Sequence, residues 1–205
     1  MSKAMPSRVA IISKKRVYDG LFKIDEAHLQ HELYNGEMSP KLTRLNFERG
    51  DSAAVVLHDP ISDTVIMTEQ FRYPVYAKDH SKAWILEIPA GSVESDEIAD
   101  PTITLRRELM EEVGYSVNSF RKIASFFVSP GGTSERIHLF YAAITPKDKI
   151  SSGGGLVSEG EDVHMVSVGV QSALYKISTG EIMDAKTIIG LQWLQMNRQT
   201  LVPGR

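Results

Sequence analysis

The chain has 205 residues, 42% of them hydrophobic and 24% charged, which is enough for one globular domain with a substantial core and a small appendage. Its net charge of −3 gives no basic field for nucleic acid or an anionic membrane, and the absence of cysteine excludes disulfides, thiolate catalysis and zinc–thiolate sites. Residues 1–9 lack the apolar core of a signal peptide, and no apolar run approaches membrane-spanning length, so we expect a cytoplasmic protein.

The first fifty residues predict a strand-rich segment. Residues 16–24 and 28–33 read as short strands, and the pair Asn35-Gly36 is typical of a two-residue hairpin because both positions accept a positive φ. We therefore predict a β-rich extension over residues 1–50, followed by the main domain over residues 51–205.

The main domain is predicted to mix strands and helices. Asp100-Pro101 favours a helix start, and Gly114 favours its end. Two further helices are predicted near residues 171–178 and 185–199. The predicted strands are Ala53–Leu57, Thr64–Thr68, Trp84–Ile88, Lys122–Val128, Ile137–Ala143 and Val163–Val168. Together these elements indicate a mixed α/β sandwich.

The most informative segment is the acidic run that ends the first of these helices. Glu108, Glu111 and Glu112 lie three and four positions apart, so a helix places them on one face, while Leu109 and Val113 point towards the core. Three clustered anions repel one another, and a hard cation such as Mg²⁺ offsets that cost. The alternative interpretation is an ordinary solvated acidic helix face.

This run resembles a known signature. Arg107, the glutamates, Gly114 and the preceding Pro89-Ala90-Gly91 together resemble the signature of Nudix hydrolases. Other segments resemble the ADP-ribose pyrophosphatases of that family, over nearly the whole chain. These segments are Tyr34–Ser39, Phe47–Gly50, Glu69–Arg72, Leu86–Gly91, Ser129–Arg136 and Leu191–Gln195. The resemblance implies an α/β fold, the Nudix α/β/α sandwich of mixed sheets with an N-terminal antiparallel β extension. Pro130 stands where the family marks ADP-ribose specificity.

The resemblance also implies a reaction and a metal. The reaction is hydrolysis of the pyrophosphate bond of ADP-ribose to AMP and ribose 5-phosphate, with Mg²⁺ as cofactor and Mn²⁺ as an alternative. Glu108 and Glu112 are the implied principal ligands, with Glu111 alongside and the backbone carbonyl of Ala90 completing the shell. Arg107 is implied to hold the glutamates by ion pairing.

A general base is also needed, and metal-bound glutamates serve poorly because the cation depresses their basicity. The three glycines 153–155 begin a predicted flexible loop that carries Glu159 and Glu161. The resemblance assigns the role of base to Glu159 and a supporting role near the metals to Glu161. The alternative is a disordered acidic loop.

Substrate contacts are implied at five further positions. Arg72 and Arg44 match family positions near the phosphates and the terminal ribose, and Glu135 matches one close to the ribose or its metal. In similar enzymes the partner subunit's N-terminal sheet supplies part of the adenine pocket, and Leu21 or Phe22 occupies that place here. A homodimer is therefore expected. Without the resemblance, the arginines are surface residues and the two apolar side chains are core residues.

One position departs from the family pattern. The family has a glutamate eight residues before the signature arginine, where this chain has Ala99. Glu97 or Asp100 is the candidate replacement for this accessory carboxylate.

Two other functions are weighed against ADP-ribose hydrolysis. A sister group that cleaves GDP-mannose or another nucleotide sugar shares the Ser-Pro-Gly-Gly segment, and residues 153–155 favour it. The N-terminal hairpin and the segment 191–194 favour ADP-ribose. A non-catalytic ADP-ribose sensor is disfavoured, because the three signature glutamates are present and no basic helix-turn-helix segment is evident.

Overall fold

The structure, a computed structural model, describes residues 5–156, 158 and 160–201. These residues form two compact units, Met1–Gly50 with Phe127–Glu135, and Asp51–Phe126 with Arg136–Arg205. The segment 127–135 thus belongs to the same unit as the N-terminal strands. The predicted division into domains at residue 50 stays a prediction.

The first unit contains a three-stranded antiparallel sheet in the order β1-β2-β3, which confirms the N-terminal β extension. Its strands are β1 (Val9–Asp19), β2 (Lys23–His31) and β3 (Leu42–Glu48). The first strand begins at Val9, seven residues before the predicted segment, and every residue of it is exposed. A strand is predicted from alternating apolar and polar residues, and a strand that is exposed on both faces does not need this alternation.

The predicted hairpin at Asn35-Gly36 is present, but its loop has three residues and not two, since the Leu33 N–H donates to the Glu37 carbonyl at 2.8 Å and Glu32 pairs antiparallel with Met38. Gly36 has a φ of 91°, but among the described residues Asn35 is not one of those with a positive φ. The Asn35 carboxamide instead accepts a hydrogen bond from the Glu37 N–H at 3.0 Å and donates one to the Glu37 carboxylate at 2.8 Å. These side-chain bonds stabilise the longer turn, and the next strand of the sheet, β3, begins at Leu42.

The second unit is built on a mixed sheet in the order β10-β5-β4-β9-β8, with β6 paired to β5 and β7 paired to β4. Strand β4 pairs in parallel with β9 and antiparallel with β5 and β7. The strands are β4 (Ser52–Asp59), β5 (Thr64–Phe71), β6 (Trp84–Glu87), β7 (Ala90–Ser92), β8 (Arg121–Phe127), β9 (Arg136–Ala143) and β10 (His164–Gly169).

Helices cover both faces of this sheet. They are α1 (Tyr73–Lys78), α2 (Thr102–Glu108) with a π-helical continuation (Leu109–Val113), α3 (Val170–Thr179) and α4 (Ala185–Leu201), besides a 3₁₀ turn at Pro146–Asp148. The short α1 was not predicted. Within the described chain, no helix combines the length and apolar character needed to cross a membrane.

The central strand β4 explains the layered arrangement. Ala54 and Val56 belong to one buried cluster, with residues of α3 and α4, while the alternate residues Val55 and Leu57 belong to another, with residues of α2 and its continuation. A strand covered on both faces has a continuous apolar sequence, as the run from residue 53 to 57 does. The predicted mixed α/β sandwich is confirmed.

Candidate active site

The acidic helix is fixed by its apolar residues. Leu109 and Val113 are fully buried, as predicted, and Gly114 ends the helix with a φ of 74°. The helix is not α-helical throughout, because the Gly114 N–H reaches back five residues to the Leu109 carbonyl. Such π-helical turns are frequent at functional sites.

Glu112 is the most constrained of the three glutamates. Its side chain is 3% exposed, and its Oε2 atom has no hydrogen-bond partner, the only such buried side-chain atom in the described part of the chain. Burial, together with the charges of Glu108 and Glu161, raises the pKa of Glu112 to about 8. Burial also raises the pKa of Glu108 to about 7, against the opposing effect of Arg107. The compensation of both buried carboxylates is therefore incomplete.

Arg107 compensates part of this charge. Its Nη1 atom lies 3.0 Å from Oε1 of Glu108 and 3.3 Å from Oε2 of Glu111. The ion pairs implied for this arginine are therefore present. Among the described residues, however, no three acidic or histidine side chains are gathered into a ready metal-binding group. Arg107 thus bridges Glu108 and Glu111, and the binding of a metal by the three glutamates stays a prediction.

Strand β7 lies directly against the two glutamates. A Cβ atom on Gly91 would lie 2.1 Å from Oε1 of Glu108, so only glycine permits this approach. The backbone N–H of Ala90 donates to the Glu112 carboxylate and lowers its pKa, although less than burial raises it. The Pro-Ala-Gly segment is thus explained by packing, and a role of the Ala90 carbonyl in metal binding stays a prediction.

The triglycine segment is anchored to the end of the acidic helix. The Gly154 N–H donates to the Glu112 carbonyl and the Gly155 N–H to the Glu111 carbonyl, both at 2.9 Å. Gly153 has a φ of 68°, and a Cβ atom there would lie 2.5 Å from the Glu112 carbonyl oxygen. These contacts satisfy carbonyls that a helix end leaves free. The structure thus holds these three glycines against the helix end, and the predicted flexibility of the loop stays a prediction.

Glu161 is held by the same segment. Its Oε2 atom accepts a hydrogen bond from the Leu156 N–H at 3.0 Å, and its own N–H donates to the Leu156 carbonyl at 3.2 Å. Its negative charge raises the pKa of both Glu108 and Glu112. Glu159 lies outside the described residues, and its role as base stays a prediction.

Arg72 belongs to a buried network that the sequence analysis missed. Its Nε and Nη2 atoms donate to the Glu87 carboxylate at 2.6 and 3.3 Å, and Glu87 is 2% exposed. The Lys186 ammonium also donates to Glu87 and lies 3.1 Å from Asp184. Burial lowers the pKa of Arg72, but Glu87, Glu112 and Asp184 raise it more, so the guanidinium also experiences the Glu112 charge. A lysine in the first turn of a helix opposes the helix dipole and could have indicated a buried partner.

Two of the implied substrate contacts lie in the first unit on β3 and the segment beside it. The Phe47 N–H donates to the Gly132 carbonyl at 2.8 Å, which joins that segment to β3. Arg44 of β3 lines a pocket of about 370 Å³, and Glu135 lies 3.5 Å from Arg49. The pocket is lined by Arg44, Leu45, Asn46, Phe127, Pro130, Gly131, Gly132, Thr133 and Ser134. The structure thus brings Arg44 and Pro130 to one pocket.

The two apolar candidates differ in their environment. Leu21 is 91% exposed at the turn between β1 and β2, so it is not a core residue of this chain. The Phe22 ring packs 5.1 Å from the Phe47 ring, and the Arg49 guanidinium lies 5.8 Å from its centre. A role for either in binding adenine stays a prediction.

The two candidates for the accessory carboxylate have different partners. Glu97 accepts a hydrogen bond from the Thr104 hydroxyl at 2.6 Å, and its charge raises the pKa of Arg107. Asp100 instead accepts hydrogen bonds from the Thr102 N–H and hydroxyl at 3.1 and 2.7 Å. Glu97 therefore folds back onto the acidic helix, whereas Asp100 stabilises the helix start.

Comparison with known proteins agrees with this site. Residues 48–181 match the NUDIX domain family. The chain is 36% identical over 195 residues to an ADP-ribose pyrophosphatase of Escherichia coli (strain K12), covering 94% of this chain and 90% of the relative. It is 32% identical over 193 residues to a GDP-mannose pyrophosphatase of Shigella dysenteriae serotype 1 (strain Sd197), covering 94% of this chain and 98% of the relative.

A solved structure shows the same fold. The crystal structure of an ADP compounds hydrolase superposes on this chain with a TM-score of 0.67 and 18% sequence identity, and the match covers 96% of this chain and 98% of the chain of that hydrolase. From the family match and these relatives, the chain belongs to the NUDIX domain family and is a hydrolase.

Proposed function

We propose that this protein hydrolyses the pyrophosphate bond of ADP-ribose to AMP and ribose 5-phosphate, with Mg²⁺ as cofactor and Mn²⁺ as an alternative. The observation that carries the proposal is the buried Glu112 carboxylate, whose unpartnered oxygen lies in a site shared with Glu108 and the charge of Glu161. The relatives named as ADP-ribose and GDP-mannose pyrophosphatases support hydrolysis of a nucleoside diphosphate sugar.

The donor atoms suit a hard divalent cation. Carboxylate and carbonyl oxygens are the ligands that Mg²⁺ prefers, and the raised pKa values of Glu108 and Glu112 reflect uncompensated negative charge. Glu108, Glu111, Glu112, Glu161 and the Ala90 carbonyl would hold the ion, which when bound neutralises phosphate oxygens and lowers the pKa of a water. Arg107 keeps Glu108 and Glu111 in place through its ion pairs.

The residues of the chain then act on the water and the phosphates. Glu159 takes a proton from the water that attacks one phosphorus atom, the bridging P–O bond breaks, and two phosphate monoesters leave. Arg72 has two of its N–H groups on Glu87, so its remaining donors are available for phosphate oxygens. Arg44 and Glu135 are proposed to contact the ribose side of the substrate.

We also propose a homodimer in which the N-terminal sheet contacts the second copy. Strand β1 is exposed along its whole length although it carries the apolar residues Val9, Ile11, Ile12 and Val17, and Leu21 follows it. Exposed apolar surface of this kind marks an interface. Leu21 or Phe22 would complete the partner's adenine pocket. We expect the enzyme to act in the cytoplasm, without nucleic acid or membrane partners.

A second substrate has support of its own. The relative named as a GDP-mannose pyrophosphatase matches nearly as much of the chain, and the triglycine segment resembles that group. A sensor that binds ADP-ribose without cleaving it is the third alternative.

Product analysis by chromatography distinguishes these functions. The protein is incubated with Mg²⁺ and a panel led by ADP-ribose and GDP-mannose, and Glu159→Gln serves beside the wild type. We expect AMP from ADP-ribose at the highest kcat/KM, and a lower kcat with little change of substrate affinity for Glu159→Gln. A higher kcat/KM for GDP-mannose would make GDP-mannose the substrate in place of ADP-ribose. Tight binding of ADP-ribose without product formation would identify a sensor. Unchanged turnover of Glu159→Gln would require a different base.

A further inference from the structure

Lys186 is a buried cation to which the proposed reaction assigns no role. It lies in the first turn of α4, is 8% exposed, and donates to the Oε2 atom of Glu87. The same oxygen accepts from Nη2 of Arg72, while Oε1 accepts from Nε of Arg72. One buried carboxylate is thus shared by an arginine of the proposed site and a lysine from a distant part of the chain.

The helix turn that carries Lys186 is itself fixed. Asp184 accepts hydrogen bonds from the Thr187 N–H and hydroxyl at 3.0 and 2.5 Å. The Thr187 hydroxyl in turn accepts from the Ile88 N–H at 2.9 Å, directly after β6. These bonds hold the start of α4 against the strand end that carries Glu87, so Lys186 reaches Glu87 from a defined position.

Stability alone is a poor explanation for this arrangement. Desolvation makes buried ion pairs costly, and well-packed apolar residues often replace them without loss of stability. A lysine in the first turn is also disfavoured by the positive end of the helix dipole. The arrangement has a clear effect on Arg72, however, because a carboxylate held from one side by Lys186 presents both oxygens to the guanidinium on the other.

We propose that Lys186 is a positioning residue that orients Arg72, through Glu87, towards the anionic phosphates of the substrate. Arg72 is 39% exposed at its side chain and keeps N–H donors that Glu87 does not engage, and the charge of Glu112 raises its pKa. Without Lys186, Glu87 loses one of the two cations that fix its carboxylate, so we expect the position of the paired guanidinium to change. The proposal rests on the proposed function for its substrate, but the link from Lys186 to Arg72 does not.

A double-mutant cycle on the full chain tests the activity. Lys186→Met is expected to lower kcat/KM for ADP-ribose on the order of 10²-fold, because small displacements of a binding group carry effects of that size. In an Arg72→Gln background the same change should cause no further loss, since Lys186 acts through Arg72. Lys186→Arg should recover part of the loss. Lys176→Met, which removes the lysine of an exposed ion pair with Glu181, is the matched control and should match the wild type.

A second measurement is independent of turnover. NMR of ¹⁵N-labelled arginine side chains follows the Arg72 Nε–H, assigned by its loss in Arg72→Lys. We expect this resonance to shift, and its hydrogen exchange to accelerate, in Lys186→Met and not in Lys176→Met. If Lys186→Met does not fold, Lys186→Arg takes its place, with smaller changes expected in both measurements.

The outcomes separate the two proposals. Suppose that the wild type hydrolyses ADP-ribose. If Lys186→Met loses no kcat/KM, or if its loss adds to that of Arg72→Gln in the double mutant, the positioning role is overturned and the proposed function stands. A wild type without activity on any substrate of the panel would overturn the proposed function. In that case, an Arg72 Nε–H resonance that does not change in Lys186→Met would overturn the positioning role as well, and a shifted resonance would support it.

Discussion

The acidic helix and strand β1 depart from ordinary burial in opposite directions. Glu112, a charged residue type, is almost fully buried, whereas β1 exposes a series of aliphatic side chains. Charged side chains are rarely buried without a partner, and contiguous apolar surface is rarely left in water. Under the proposed function, a cation would be the partner of the helix, and the N-terminal sheet of a second copy would be the partner of the strand.

The largest effect is expected from Glu112→Gln, which tests the helix side of this comparison. It removes a proposed metal ligand, so turnover should fall on the order of 10³-fold, since a bound metal supplies several kcal/mol of transition-state stabilisation. The metal-free fold should persist, because the amide is nearly isosteric and carries no buried charge. Steady-state kinetics measure the loss, and thermal unfolding with and without Mg²⁺ measures the fold.

The exposed Glu94→Gln serves as the control for this substitution. We expect Mg²⁺ to raise the Tm of the wild type and of Glu94→Gln, and not that of Glu112→Gln. Substantial activity in Glu112→Gln would contradict the metal assignment.

Ile11→Asp tests the strand side. Burying one isoleucine contributes about 1.5–3 kcal/mol, so a charge there should raise the Kd of the proposed dimer about tenfold or more. Sedimentation at several protein concentrations measures the change. Ile61→Asp makes the same substitution at an exposed position of the second unit and should leave the dimer intact. A wild type that sediments as a monomer would refute the proposed interface.

Gly153→Ala tests whether the triglycine segment is docked on the acidic helix in solution. The positive φ costs an alanine about 1–2 kcal/mol, and contact with the Glu112 carbonyl adds about 1–3 kcal/mol. Gly180→Ala has the same strain, with a φ of 75° and no atom within 4 Å of the added Cβ. Urea unfolding should therefore show the larger loss of stability for Gly153→Ala. Equal losses would mean that the docking contact is absent.

The smallest effect is expected at His58, a buried group that does have partners. Its ring nitrogens lie 3.3 Å from the Tyr141 hydroxyl and 3.3 Å from Asp63. Burial lowers the pKa of His58, and Asp63 opposes this shift only in part. The unfolded chain therefore binds a proton more readily, so this residue makes stability fall as the pH falls below about 6.5.

Urea unfolding at pH 7.5, 6.5 and 5.5 measures this dependence. His58→Gln should remove it, so the wild type should lose more stability than the variant between the highest and the lowest pH. Parallel curves would show that His58 does not titrate differently in the folded state.

Prediction from the sequence succeeded where local pattern and packing agree. The run from residue 53 to 57 is apolar and β-branched, and it became the central strand because helices cover both its faces. At Asn35 it gave the turn but not its length of three residues, which a side-chain hydrogen bond to Glu37 accompanies. It failed at the first half of β1, which has no buried face to impose alternation.

The sequence by itself determined the acidic helix, the approximate positions of most strands of the main domain, the family and the positions of the signature glutamates, because these depend on spacing along the chain. Only the tertiary structure decided which glutamate is buried without a partner, how Gly153 meets the Glu112 carbonyl, and that Lys186 reaches Glu87. Glu87 and Lys186 are 99 residues apart, and no local pattern encodes such a pairing. It arises because the sheet and α4 bury their apolar faces against each other, which brings Glu87 and Lys186 together. A charged side chain buried at this contact is costly unless it is paired, so the two residues form an ion pair.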